Sequence, residues 1–293
     1  MPALKDVKNK ISAVKKTKQI TKAMNMVASA KLRNAQSRIE RFRPYADKFY
    51  EMLGDLAKGA DPSVHPLLEA REEVKTVLLL VVTSDRGLCG AFNHNIIHEA
   101  IKVARGKIAE GKTVKVMCVG RKGRDAFRRL GYDIVAAYVN EMGTFDFTLA
   151  SRIGAEIIAG YIGGTYDEVT MAFGKFISLA RQEPTLLPVL PLSPTAAVGD
   201  EEPAGAKVEY IYEPSVEGLL AELLPRFVNV QIYRGLLDTS ASEHAARMRA
   251  MDNATRNCDD LVSSLSLVYN KARQAAITKE LMDIVGGSEA LKG

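Results

Sequence analysis

Between Leu236 and Val285 the chain runs for fifty residues without a glycine or a proline. Those are the two residues that most weaken a helix interior. From Met251 onward, small and apolar residues recur on an alternating three–four spacing: Met251, Ala254, Cys258, Leu261, Leu265, Val268, Ala272, Ala275 and then Met282. This is a heptad seam of more than four repeats, the mark of a helix buried along one line against another helix. At 1.5 Å per residue such a helix reaches roughly 75 Å, more than an ordinary domain spans. Gly286 and Gly287 follow, and the pattern predicts a helix stop there.

A second seam lies at the other end. Residues 3–43 also lack glycine and proline. Leu4, Val7, Ile11 and Val14 open a heptad, and Ala28, Leu32, Ala35, Ile39 and Phe42 continue it in register. The seam positions between them are polar: Lys18, Thr21 and Asn25. Apolar residues move sideways there, to Ile20, Met24 and Val27. Either the polar residues fix the register of the helix pair, or the middle of the helix faces something other than its partner helix. Pro44 interrupts this pattern, and Gly54, Gly59 and Pro62 end it by about residue 60. Two long seams at opposite ends of one chain pair most simply with each other, antiparallel.

The middle reads differently. Strand-length apolar runs occur at Val74–Thr83 and Thr113–Val119, with weaker ones at Tyr132–Val139, Val169–Phe173, Leu186–Leu192 and Val208–Tyr212. Helical stretches fall between them at about 94–110, 121–130 and 147–162. Such alternation predicts an α/β layer domain. Seven of the eleven prolines lie in 184–225, and residues 193–206 read as an exposed excursion. The expected division is 1–60 helix, 70–213 α/β domain, 214–287 helix.

Composition narrows the function. No apolar run is long enough to span a bilayer, the longest being Val77–Val82. The opening residues have no apolar core of the kind a signal peptide needs. Cys89, Cys118 and Cys258 are widely spaced and odd in number, which suits a reducing compartment and gives no zinc pattern. The net charge of +5 hides an asymmetry: residues 1–43 hold twelve Lys or Arg against Asp6 and Glu40, while 236–285 hold six basic and seven acidic groups. The basic helix could meet nucleic acid, an anionic membrane or an acidic protein. It has no aromatics before Phe42 and no nucleic-acid motif, and its apolar face is narrow for a membrane surface. A protein socket touching its polar middle is the preferred reading.

The most site-like run is Ser84-Asp85-Arg86-Gly87-Leu88-Cys89-Gly90, after a strand and before a helix. It matches neither G-x-x-x-x-G-K-[ST] nor G-x-G-x-x-G. A tight turn is the ordinary reading, and Cys89 beside His94 is no more than sequence proximity. His94 and His98 have the spacing of a helical metal pair, but no third ligand accompanies them.

Three blocks carry a resemblance. Ile20-Thr21-Lys22-Ala23-Met24-Asn25-Met26-Val27-Ala28 resembles the N-terminal helix of the gamma subunits of F-type ATP synthases. The run Ser84–Gly90 resembles that family's first central turn. Residues 242–291 resemble its C-terminal helix, above all Tyr269-Asn270-Lys271-Ala272-Arg273-Gln274-Ala275-Ala276-Ile277-Thr278 with Glu280. The end departs slightly, with Gly286-Gly287-Ser288 where many members have Gly-Ala, and the cysteine-bearing chloroplast insert is absent from 193–206.

The resemblance implies an antiparallel two-helix coiled coil with a central Rossmann-like α/β domain. It implies a rotor at the centre of three alpha and three beta subunits, its foot on the epsilon subunit and the ring of c subunits. Such a protein couples proton flow to ATP synthesis or hydrolysis on the beta subunits. It would have no catalytic residue, cofactor or metal of its own, no nucleic-acid partner and no membrane span. It would lie on the cytoplasmic face of the bacterial inner membrane. By motif position, Arg273 and Gln274 would form a polar catch with a beta subunit. Met24, Lys22, Arg247 and Glu280 would lie in the coupling region.

Overall fold

The computed structural model describes residues 4–58, 65–192 and 216–290. The expected strand at 208–212, the excursion at 193–206, the helix entry at 213–215 and the stops at Gly59 and Pro62 lie outside the described residues. In chain order the elements are α1 (Leu4–Lys58), β1 (Thr76–Val82), α2 (Phe92–Ala109), β2 (Thr113–Val119), α3 (Arg121–Arg129), β3 (Asp133–Tyr138), α4 (Phe147–Ile162), β4 (Glu168–Phe176), β5 (Gln182–Leu190) and α5 (Val216–Ala290). They form two compact units, one of residues 1–29 with 247–293 and one of residues 30–246.

The first unit is an antiparallel coiled coil. Lys18 pairs with Asp259, the Thr21 and Thr255 hydroxyls stand 2.8 Å apart, and the Asn25 amide donates to the Met248 carbonyl at 2.9 Å. One set of numbers rises as the other falls, which fixes the antiparallel sense. Val7, Thr21 and Ala28 are buried on α1, as are Met251 and Cys258 on α5. The seam therefore keeps its register straight through the polar middle, and those polar residues bond the partner helix. At this register the level of Leu4 falls at about residue 272 of α5. Beyond it Ala275 and Met282 are exposed, because no described residue of α1 reaches them.

Two stop signals do not act as stops. α5 continues through Gly286 and Gly287 to Ala290, and α1 passes through Pro44 and Gly54. A glycine costs a helix only about 1 kcal/mol. Packing holds α1 past its proline, since Ala46 and Phe49, on the next turns, are buried.

The second unit holds a five-stranded sheet in the order β3-β2-β1-β4-β5, with β5 alone antiparallel. β1 at its centre is the unbroken run Thr-Val-Leu-Leu-Leu-Val-Val, which suits a strand covered on both faces. One face carries Leu78, Leu80, Val82, Met117 and Val119 under α4 and the Leu220–Leu237 part of α5. The other carries Leu79, Val81, Val116 and Cys118 under α2 and α3. α4 opens on Asp146, whose side chain accepts the Thr148 amide. At the β2–α3 junction Gly120 has φ +93°, and a Cβ there would collide with the Thr83 carbonyl, so only glycine fits.

Candidate functional site

An open α/β sheet offers ligands a crevice at the carboxyl ends of its strands, where the strand order reverses. Here the reversal lies between β1 and β4. The pairing of β1 with β4 ends at Val81 and Ala172, and β4 runs on. Two residues further, Gly174 donates its amide to the Thr239 hydroxyl at 3.2 Å, and its carbonyl accepts the Ser242 hydroxyl at 3.0 Å. Both hydroxyl residues belong to α5 and are fully buried. Helix α5 thus continues the ladder where β1 stops and fills the place a ligand would take.

The neighbouring turn is filled from within as well. Asp85 Oδ1 accepts the amides of Arg121 at 3.0 Å and Asn140 at 2.8 Å, and Oδ2 accepts that of Met142 at 3.2 Å. Arg121 opens α3, so the protein's own carboxylate sits where a helix N-terminus would attract an anion. Ser84 is fixed to Asn93 through its amide and hydroxyl, and the Asn93 amide donates to Cys89 Sγ at 3.1 Å. Leu88 takes a left-handed conformation, φ 63°, and is exposed. The run Ser84–Gly90 is a knot tying β1 to α2, α3 and the loop after β3.

Cys89, Cys118 and Cys258 are buried free thiols. Burial pushes the Cys118 thiol up to about 12, with Arg124 pulling weakly the other way, so it stays protonated and unreactive at neutral pH. The His94 and His98 rings lie 6.1 Å apart. Among the described residues no three His, Cys, Asp or Glu side chains are grouped to hold a metal. No helix there is long and apolar enough to cross a membrane.

The remaining candidate residues lie along the coiled coil. Lys22, Met24 and Arg247 stand at one level, set by the Asn25–Met248 and Thr21–Thr255 bonds. Lys22 is exposed, Met24 half-buried and Arg247 buried. Arg273, Gln274 and Glu280 are exposed on the stretch of α5 beyond the level of Leu4. Arg273 lies roughly 38 Å along the helix from Met248. The six residues therefore form two groups, with Glu280 alongside Arg273 and Gln274 rather than with Met24.

The structure corrects the reading of a polar middle turned toward a socket. Lys18, Thr21 and Asn25 face α5, and the open side carries Ile20, Met26 and Val27, each more than half exposed. Leu267, Leu281, Met282, Ile284 and Val285 are likewise exposed on α5. Exposed apolar side chains in such number mark contact surfaces. Their sequence signal was the sideways step to Ile20 and Val27, seven residues apart and off the seam.

Helix pairing plus an α/β domain whose crevice is filled by its own helix defines a coiled-coil protein built around outward contacts. The family model for ATP synthase matches residues 3–291. The chain is 65% identical to the ATP synthase gamma chain of Nitratidesulfovibrio vulgaris strain Hildenborough and 66% identical to that of Maridesulfovibrio salexigens, each match covering 100% of both chains. It is similar to the central stalk of the Tetrahymena thermophila mitochondrial ATP synthase, with 28% identity over 80% of this chain and 99% of that one, TM-score 0.59. The rotor of the Euglena gracilis enzyme shares the fold at 21% identity over 94% and 98% of the two chains, TM-score 0.64. This chain belongs to the gamma-chain family of ATP synthase.

Proposed function

We propose that the chain is the central-stalk rotor subunit of an ATP synthase, coupling proton flow across a membrane to ATP synthesis or hydrolysis on the beta subunits. The observation that carries this reading is the inward turn of the polar seam. It locks the two helices together and leaves apolar and ionic side chains facing outward. A shaft needs both properties: internal bonds that resist slippage, and an uneven outer surface that differs with direction.

In this reading residues 1–60 and 214–287 supply the shaft, and 70–213 with the adjoining helices supply the foot. Alpha and beta subunits surround the shaft. Arg273 and Gln274 make a polar catch with a beta subunit; Lys22, Met24, Arg247 and Glu280 make coupling contacts. The foot meets the epsilon subunit and the ring of c subunits. The chain performs no chemistry itself, which the filled β1–β4 crevice and the self-capped Asp85 turn support. It works on the cytoplasmic face of the bacterial inner membrane, as a peripheral part of the complex.

Reconstitution tests this. The purified chain should show no ATPase, and its addition to alpha and beta subunits should give a stable complex with rapid turnover. Substantial hydrolysis by the chain alone, or equal turnover without it, would reject the proposal.

A further inference from the structure

Arg38 sits on α1 at a junction of three elements. Its guanidinium donates to the Phe145 carbonyl at 2.6 Å and to the Tyr233 hydroxyl at 3.2 Å. It also lies over the Phe145 ring, 4.3 Å from the centroid. Phe145 belongs to the loop between β3 and α4, and Tyr233 to α5. The Tyr233 ring is in turn met edge-on by Phe42 of α1 at 4.8 Å and Phe147 of α4 at 5.4 Å. One cation therefore binds both long helices to the α/β domain, through groups from all three. Further along α5, Thr239 and Ser242 hold Gly174 of β4.

We infer that Arg38 is a positioning residue for torque transfer: it pins the helix pair to the α/β domain so that the two turn together. The inference rests on the rotor reading. A torque crosses a joint as a couple, which needs two separated points of attachment. α5 has them at Tyr233 and at Thr239–Ser242, roughly 9–14 Å apart along its axis. Apolar packing alone resists separation well but sliding poorly, because it is non-directional. Directional bonds to a backbone carbonyl and a phenol resist sliding. Arginine suits this place because one guanidinium nitrogen, Nη2, donates to both acceptors while the flat group lies over a ring, a stacking that a compact lysine ammonium does not reproduce.

The role differs from a purely stabilising one in when it matters. Without load, a slack joint still lets the head turn over. Under load, part of each turn is lost as slip. The test uses the assembled ATP synthase carrying this chain, with Arg38→Met, Arg38→Lys and, as control, Arg41→Met, which alters an exposed residue of the same helix. Two quantities are read: ATPase of the detached head, and protons pumped per ATP by the whole enzyme in vesicles. For Arg38→Met, pumping per ATP should fall by about threefold or more while head ATPase changes by less than about twofold. Arg38→Lys should fall between, and Arg41→Met should match the unaltered enzyme.

Unaltered pumping per ATP in Arg38→Met would overturn the inference. So would a parallel loss of pumping, head ATPase and bound chain in both Arg38 variants, which would leave only a folding role. If the unaltered chain supported no coupling at all, the rotor reading itself would fall, and that outcome is visible before any variant is made.

Discussion

The hydroxyls of Thr21 and Thr255 stand 2.8 Å apart across the helix pair, and each also lies near a carbonyl of its own helix, Lys18 at 3.0 Å and Met251 at 2.8 Å. Three separations compete for two protons, so only two of the three bonds exist at once. The layer is polar, part-buried and self-contained. Its value lies in register, since a slip of one heptad would set Thr255 against Val14 or Ala28.

That layer predicts an asymmetry between single and double substitution. Thr21→Val alone leaves Thr255 one partner short and should cost about 1 kcal/mol. Thr21→Val with Thr255→Val removes both groups and should cost less than the sum of the singles. A double-mutant cycle on thermal unfolding measures it; additive losses would show that the two hydroxyls are not coupled.

Asp238 gives the fold a pH dependence. It sits on α5 with Arg234, Lys175 and Arg43 near it, and burial outweighs those cations, raising its pKa to about 6. An unfolded aspartate titrates near 3.9. The folded form therefore binds the proton more tightly, so stability contributed by the neutral acid is present at low pH and lost as pH rises through about 6. A shift of about two units corresponds to about 3 kcal/mol at pH 8. Asp238→Asn should raise the melting temperature at pH 8 and raise it only about half as much at pH 5, which lies midway between the unfolded and folded pKa values. A gain equal at both pH values would contradict this origin.

The Ser84–Gly90 run separates a scaffold from a reaction centre. Asp85→Ala orphans three backbone amides at once and should destabilise the α/β domain by about 2–4 kcal/mol, seen in denaturant unfolding. Cys89→Ala removes one buried sulfur and should leave the ATPase of the assembled head within about twofold. A nucleophilic role would give the reverse: intact folding with Cys89→Ala and no activity.

Gly120→Ala tests the backbone at the β2–α3 junction. The new methyl meets the Thr83 carbonyl, and φ +93° is strained for any side chain. The Thr83 hydroxyl, which accepts the Gly123 amide at 2.8 Å, crowds the same spot. The expected loss is about 3 kcal/mol or more by thermal unfolding. Gly287→Ala, in open space late in α5, should instead leave stability unchanged or slightly raised.

Much of this was legible in the sequence, and the exceptions share a cause. The α1 seam could be read residue by residue, polar members included, because a heptad records which side of a helix meets its partner. β2 lies at Thr113–Val119 as expected, since a covered strand reads as a mainly apolar run, here interrupted only by Lys115 after its opening Thr113. What failed was any signal whose meaning depends on distant residues. Gly286-Gly287 resembles a stop only if something must end there, and no described residue crowds α5 at that point. The Ser84–Gly90 run reads as a tight turn, but the amides that Asp85 holds, those of Arg121, Asn140 and Met142, lie far along the chain, so the knot they make could not be read. Likewise the heptad shows which face of α1 is buried but not what remains uncovered beside it, so the exposure of Ile20 and Val27 escaped notice.

Arg273 carries the sharpest prediction about coupling. It is exposed, on a stretch of α5 that no described part of α1 covers, so its removal leaves the fold intact. A contact made only as the rotor turns would be felt in turnover and not in binding. Arg273→Ala should therefore assemble with alpha and beta subunits as the unaltered chain does, while steady-state ATPase falls by about tenfold, the effect of one lost charge-assisted bond in the rate-limiting state. Arg273→Lys should recover part of that loss, because a lysine keeps the charge without the two-pronged geometry. Weak assembly with normal turnover per assembled complex would instead make Arg273 a packing residue, and the catch would have to be sought at Gln274 or Glu280.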